Sequence, residues 1–256
     1  MELFFRMHGT GEPLIILHGL LGSSDNWQSL AKKFSTYFRV YTPDLRNHGH
    51  SPHHDKLDFN VLNEDLLEFI KRMELSEINI IGHSLGGKTA MNFTLKNPDF
   101  VKKLVIVDIG PWYYDVIHDR YVDSMMKLDL ESFSRREEID IAFSRDITNP
   151  AVRQFLLKNL KRDEHGKFAW KINLDIIKRN LPNLGEPVVS EIPFPKPALF
   201  IAGGKSEYVK PKDIGDIQSL FPAVRIVFFE NAGHWVHADE PEMFYKTVTE
   251  FLHENH

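Results

Sequence analysis

Short apolar runs alternate with helical patterns along the first 110 residues. The apolar runs are rich in Leu, Ile and Val, which is typical of buried strands, and they occupy residues 14–17, 38–42, 78–81 and 104–107. Between them, apolar residues recur at the spacing of one helix face, first at Trp27, Leu30, Ala31 and Phe34 and later at Leu62, Leu66, Phe69, Ile70 and Met73. This alternation predicts an α/β fold with a doubly wound, mostly parallel sheet.

The pattern of apolar and polar positions changes between residues 111 and 195, where it is helical and amphipathic and the chain is rich in charged and aromatic residues. Strand signals return only near 193–197, and we predict further strands at 198–203 and 224–229 and a last helix that begins at Pro241. We therefore predict a core formed by residues 1–110 and 196–256, with a helical cap, 111–195, inserted in it. Trp112, Tyr114 and Trp235 are candidates for a substrate pocket, although packing of the cap on the core is the commoner use of such side chains.

Composition narrows the class of protein. Hydrophobic residues make up 42% of the 256 residues and charged residues 26%, which is typical of a globular domain rather than a disordered one. The net charge of −5 argues against nucleic acid or an anionic membrane as a partner. The chain has no cysteine, no signal-peptide pattern at its start and no apolar run long enough to span a bilayer. We expect a soluble, cytoplasmic protein, and the pattern leaves its oligomeric state open.

A glycine-rich turn, Gly-His-Ser-Leu-Gly at residues 82–86, lies between the predicted strand at 78–81 and a helical stretch that ends before Asn97-Pro98. In the order strand, G-x-S-x-G, helix, this motif predicts a nucleophile elbow, a strained turn that exposes a serine hydroxyl in a cleft. The candidate nucleophile is Ser84. An ordinary serine in a surface turn is the alternative, and the flanking elements disfavour it.

A serine nucleophile needs a base and an oxyanion hole. Among thirteen histidines, His234 has the expected position, directly after Gly233 in the loop that follows the last predicted strand. The backbone N–H of Leu85, at the start of the helix, is one candidate oxyanion donor. The backbone N–H of Leu20, just after His18-Gly19, is the second.

With these motifs the chain resembles the α/β-hydrolase family over essentially its full length. Residues 18–22 are similar to the family's oxyanion loop, 44–51 to its D-x-R-x-x-G-x-S loop, 82–86 to its elbow and 233–234 to its base motif. Within the family, residues 44–49, 107–111 and 203–208 give a finer match to a group of bacterial serine esterases with a cap.

The acid that orients the histidine departs from the family's usual pattern. Ser206 stands where most members carry a carboxylate, and serine cannot carry that charge. The resemblance to the bacterial group implies that Asp108, at the end of the strand after the elbow strand, replaces it, with Ser206 as an auxiliary hydrogen-bond partner. The adjacent Glu207 is the alternative acid, in which case Asp108 would only brace the start of the cap.

These residues predict a serine hydrolase that cleaves carboxylic esters with small to medium acyl chains, with thioesters as a further class of small-molecule substrate and with no cofactor. The histidine-dense loop at 47–54 lacks accompanying carboxylates or cysteines in ligand spacing, so we expect no metal. The alternatives are a C–C bond or lactone hydrolase on the same fold and a non-catalytic ligand-binding receptor. A serine at the elbow disfavours a haloalkane dehalogenase, whose reaction needs a carboxylate there.

Overall fold

The fold is described from a computed structural model, which describes residues 1–115 and 119–254. The strands are β1 (Phe5–His8), β2 (Glu12–Leu17), β3 (Phe38–Pro43), β4 (Ile78–His83), β5 (Val101–Val107), β6 (Leu160–Arg162), β7 (Phe168–Trp170), β8 (Ala198–Gly203) and β9 (Val224–Phe229). The α helices are α1 (Gln28–Phe34), α2 (Phe59–Arg72), α3 (Leu85–Lys96), α4 (Asp119–Met126), α5 (Arg136–Phe143), α6 (Pro150–Leu157), α7 (Leu174–Gly185), α8 (Ile214–Leu220), α9 (Val236–Asp239) and α10 (Pro241–His253).

Seven of the described strands form one sheet in the order β1-β3-β2-β4-β5-β8-β9. β1 pairs antiparallel with β3, and every other pair in this sheet is parallel. The predicted mostly parallel, doubly wound sheet is therefore confirmed. Parallel strands end at the same edge of a sheet, so the loops after β2, β4, β5, β8 and β9 gather at that edge.

The sheet is buried on both faces because alternate side chains of each strand point to opposite sides. Leu14 and Ile16 of β2 belong to the apolar cluster that packs against α1 and α10, while Ile15 and Leu17 belong to the cluster on the other face. Both faces of the central strands are fully enclosed, which explains why the sequence of these strands is a continuous apolar run rather than an alternating one.

The described part of the segment between β5 and β8 adds no strand to the main sheet. It contains α4 to α7 and a two-stranded antiparallel sheet formed by β6 and β7. The expectation that this stretch lacks strands until 193–197 was wrong, because each strand of this hairpin has only three residues and shows no period-two pattern. The division into core and cap at these boundaries stays a prediction.

No helix in the described part of the chain is both long and apolar enough to cross a membrane.

Candidate active site

Ser84 occupies a strained turn between β4 and α3. Its backbone has φ 52° and ψ −117°, a left-handed conformation that is costly for a residue with a side chain. The turn closes because two glycines allow close contact. A Cβ on Gly82 would lie 2.4 Å from the carbonyl oxygen of Gly86, and a Cβ on Gly86 would lie 2.4 Å from that of Leu17. The G-x-S-x-G motif thus presents Ser84 at the edge where the parallel strands end.

His234 and Asp108 are in direct contact, as the sequence predicts. The Nδ1 atom of His234 lies 2.7 Å from Oδ2 of Asp108, which follows directly after β5. The carboxylate also accepts hydrogen bonds from the backbone N–H of Gly203, at 2.9 Å, and from the hydroxyl of Ser206, at 2.5 Å. These contacts bring Asp108 together with two other predicted residues, Ser206 and His234, which lie 98 and 126 positions further along the chain.

Burial sets the electrostatics of this pair. Burial raises the pKa of Asp108, and the hydrogen bonds from Ser206 and Gly203 oppose that shift because they favour the charged carboxylate. Burial lowers the pKa of His234, so the resting imidazole is neutral. Because the carboxylate is an acceptor, Nδ1 carries the imidazole proton, which leaves Nε2 with the lone pair that a general base requires.

Glu207, the alternative acid, points away from this pair. Its side chain is 85% exposed, and its carboxylate lies 2.9 Å from the ammonium of Lys210.

The two candidate oxyanion donors lie beside Ser84. Leu85 is the first residue of α3, so its N–H has no acceptor within that helix. Leu20 lies in the turn after β2, and no hydrogen bond among the described residues uses its backbone N–H.

Two buried histidines hold the loop that carries Leu20. His18 Nε2 accepts from the backbone N–H of Leu45, at 2.9 Å, and His48 Nε2 accepts from that of Leu21, at 3.3 Å. Burial lowers the pKa of both rings, that of His48 to about 3, so both stay neutral and keep an acceptor nitrogen. The sequence indicated both rings, since His18 begins the predicted oxyanion loop and His48 lies in the histidine-dense loop at 47–54, but their role as hydrogen-bond acceptors was not predicted.

Two cavities in the described part of the chain contain Ser84, and we call them the first and second cavity. The first is lined by Leu20, Ser84, Leu85, Lys88, Ile109, Tyr114, Asp115, Leu184, Gly185 and Tyr208. The second is lined by Leu20, Leu21, His83, Ser84, Tyr121, Val152, Phe155, Leu156, His234 and Trp235. Side chains from the segment between β5 and β8 therefore face Ser84 in both.

The predicted pocket residues divide between these cavities. Tyr114 lines the first and Trp235 the second, but Trp112 lines neither. The Trp112 ring packs on Gly110, where a Cβ would lie 2.2 Å from it. The placement of Trp112 does not support the prediction that it contacts substrate.

Lys88 was missed by sequence reasoning. It lies one turn into α3 and is almost fully buried. Its ammonium donates hydrogen bonds to the carbonyl oxygens of Trp112, at 3.1 Å, Gly185, at 2.9 Å, and Glu186. The signal in the sequence was a charged residue close to the predicted nucleophile in the first turn of the helix.

The described residues, 1–115 and 119–254, contain no group of three or more His, Cys, Asp or Glu side chains that could hold a metal ion.

Comparisons with known proteins identify the family of the chain. A family model of the alpha/beta hydrolase fold matches residues 12–136. The sn-1-specific diacylglycerol lipase ABHD11 of Mus musculus is 38% identical over 247 residues, which cover 93% of this chain and 80% of that protein. Esterase YbfF of Escherichia coli K12 is 31% identical over 244 residues, 94% of this chain and 93% of the relative. The solved structure of a marine microorganism esterase is 47% identical, has a TM-score of 0.95, and is matched over 98% of this chain and 99% of its own.

Proposed function

This chain belongs to the α/β-hydrolase family, and on that premise we propose that it is a serine hydrolase that cleaves carboxylic esters. The observation that carries the proposal is the contact between His234 and Asp108 beside the cavity that Ser84 lines. The names of the relatives, a diacylglycerol lipase and two esterases, support the same class of reaction.

The proposed reaction uses each of these groups in turn. Ser84 Oγ attacks the acyl carbon while Nε2 of His234 takes its proton, and Asp108 stabilises the imidazolium that forms. The N–H groups of Leu20 and Leu85 bind the oxyanion of the tetrahedral intermediate. The imidazolium then protonates the leaving alkoxide. Water, activated by the neutral histidine, cleaves the acyl-enzyme and regenerates Ser84. A thiolate leaving group would follow the same path.

We further propose that residues 111–195 form a cap over Ser84 and select among acyl groups. The support is that Tyr114 and Leu184 line the first cavity and that Val152, Phe155 and Leu156 line the second. We propose small to medium acyl chains because the first cavity is small, with a volume of about 40 Å³.

The test is the substitution Ser84→Ala. We expect ester hydrolysis to fall by roughly 10⁴-fold or more, since only binding and the oxyanion hole remain. Labelling by a fluorophosphonate probe should disappear as well. Ser219→Ala, which changes an exposed serine on α8, is the matched control and should retain both signals. Hydrolysis near the wild-type rate by folded Ser84→Ala protein would exclude this mechanism, and an unlabelled but active wild type would exclude a serine nucleophile.

A further inference from the structure

Leu21, the residue after the proposed oxyanion donor Leu20, has a strained backbone. Its φ is 59°, in the left-handed region that is costly for a residue with a side chain. The turn that contains both leucines is closed by a hydrogen bond of 3.0 Å from the backbone N–H of Gly22 to the carbonyl oxygen of Gly19. A strained conformation persists only where its surroundings hold it, so the contacts of Leu21 set the shape of this turn.

Side chains from two distant parts of the chain hold both backbone polar groups of Leu21. Its N–H donates to Nε2 of His48, on the loop after β3, at 3.3 Å. Its carbonyl oxygen accepts a hydrogen bond of 2.8 Å from Nδ2 of Asn159, which lies between α6 and β6, 138 positions further along the chain. The segment between β5 and β8 therefore reaches the turn that carries the Leu20 N–H.

The contacts of Asn159 fix the direction of its amide group. The side chain is buried, and its Nδ2 atom also donates to the carbonyl oxygen of Leu156, at 3.1 Å. Both neighbours are carbonyl oxygens, which only accept hydrogen bonds, so the amide nitrogen rather than the amide oxygen must face them. One of its two hydrogens is therefore directed at Leu156 and the other at Leu21.

The backbone of Asn159 is also held in place. Its N–H donates to the carbonyl oxygen of Leu156, at 3.0 Å, and its carbonyl oxygen accepts from the N–H of Lys171, at 2.7 Å. The ammonium of Lys171 lies 3.2 Å from Oδ2 of Asp25, a residue shortly after the turn. Because its neighbours are tied to the same region of the molecule, Asn159 presents its amide group to Leu21 from a rigid support.

The position of the Leu20 N–H depends on this contact. Without Asn159, the buried carbonyl oxygen of Leu21 would lose its donor and the strained φ angle could relax. A change in φ of Leu21 shifts the backbone of the preceding Leu20, and a displaced oxyanion donor binds the transition state less well. We propose that Asn159 is a positioning residue that holds the Leu20 N–H in the oxyanion hole. This inference rests on the function proposed above.

The test replaces Asn159 with Leu, which keeps the approximate size of the side chain and removes both donors. Asn180→Leu is the matched control, because Nδ2 of Asn180 donates to the carbonyl oxygens of Asp55, at 3.3 Å, and Ile176, at 2.8 Å. Both asparagines thus join the segment between β5 and β8 to one carbonyl oxygen in the part of the chain before β5 and to one in their own segment. Only Asn159 contacts the turn that carries Leu20.

The first readout is steady-state hydrolysis of a p-nitrophenyl ester. We expect Asn159→Leu to lower kcat by about 10- to 100-fold with KM within about twofold, because the oxyanion is bound in the transition state and not in the bound substrate. Asn180→Leu should keep kcat and KM near the wild-type values. An unchanged kcat in folded Asn159→Leu protein, or an equal loss in Asn180→Leu, would overturn the proposal.

Two inhibitors separate a positioning role from a general loss of structure. Ser84 Oγ adds to the carbonyl carbon of a trifluoromethyl ketone, its proton passes to His234, and the carbonyl oxygen becomes an oxyanion in the hole. The corresponding secondary alcohol binds without forming an adduct. In Asn159→Leu, the Ki of the ketone should rise by a factor similar to the fall in kcat, and the Ki of the alcohol should stay unchanged. Equal weakening of both inhibitors would overturn the proposal.

Asn159→Ala provides the same test where leucine is not tolerated, since it removes both donors without adding a larger apolar group. We expect the same fall in kcat and the same selective rise in the Ki of the ketone, and wild-type values in this variant would overturn the proposal. Failure of the proposed function gives a separate result, since wild-type protein would then hydrolyse no ester and the fluorophosphonate probe would not label Ser84.

Discussion

At the scale of single residues, the hydrogen bond between Asp108 and His234 gives the sharpest prediction. Replacing Asp108 with Asn leaves the size of the side chain unchanged, but its amide group favours the wrong imidazole tautomer. We expect Asp108→Asn to lower kcat on the order of 10⁴-fold with little change in KM, as measured by steady-state hydrolysis of one ester.

The neighbouring residues supply the matched controls. Glu207→Gln makes the same chemical change at a side chain that is exposed and paired with Lys210, so kcat should stay near the wild-type value. Ser206→Ala removes one of the hydrogen bonds to the Asp108 carboxylate and should have an effect between these two. If Glu207→Gln had the strongly reduced kcat and Asp108→Asn kept its activity, the acid would be Glu207 instead.

The choice between these carboxylates shows where sequence reasoning ends. Residue types and their order along the chain identify Ser84 and His234 as candidates, because both sit in short motifs next to strands. The acid has no such local motif, and the chain offers Asp108 and Glu207 at the ends of two adjacent strands, β5 and β8. The resemblance favours Asp108, but the contact itself depends on the direction of the side chains, which tertiary packing sets.

At the scale of secondary-structure elements, Lys88 joins α3 to both ends of the segment between β5 and β8. Lys88→Met keeps most of the apolar stem but removes the donors for three carbonyl oxygens. We expect the free energy of unfolding to fall by about 2–4 kcal/mol, as measured by urea denaturation, because these oxygens lose a charged hydrogen-bond partner.

Lys96→Met is the matched control, since it changes an exposed lysine in the last turn of the same helix. We expect its free energy of unfolding to stay within about 0.5 kcal/mol of the wild-type value. An equal loss in both variants would contradict a special role for Lys88.

The elements themselves were predictable where their patterns are long and strong. The apolar runs of the central strands and the start of α10 at Pro241 follow from the sequence. The β6–β7 hairpin does not, because a three-residue strand carries too few positions to show a period and is held by its partner strand. The structural role of Lys88 could not be predicted from the sequence, because its three acceptors are backbone carbonyl oxygens, which every residue has.

At the scale of the whole molecule, the parallel sheet explains why distant residues meet. Ser84 follows β4, Asp108 follows β5 and His234 lies in the loop after β9, so all three reach the same edge of the sheet. The mostly parallel sheet could be expected from the alternation of strands and helices. The segment between β5 and β8 is different, because its helices pack through side chains whose partners lie far along the chain.

Buried neutral histidines make the stability of the whole molecule depend on pH. His237 illustrates this, because its ring stacks on Trp27 at 4.1 Å and its Nδ1 has no hydrogen-bond partner among the described residues. Burial lowers its pKa well below the ordinary value of about 6.5. Below about pH 6.5 the unfolded chain binds a proton at this position and the folded protein does not. The free energy of unfolding therefore falls as the pH falls.

His237→Phe should remove this contribution while keeping an aromatic ring against Trp27. From urea denaturation at several pH values between 7.5 and 4.5, we expect the slope of the unfolding free energy against pH to decrease by up to about 1.4 kcal/mol per pH unit, the value for one proton. His165→Phe, at an exposed position in the turn between β6 and β7, is the matched control and should leave the slope unchanged. The same slope for the wild type and for His237→Phe would show that His237 takes up its proton in the folded protein as readily as in the unfolded chain.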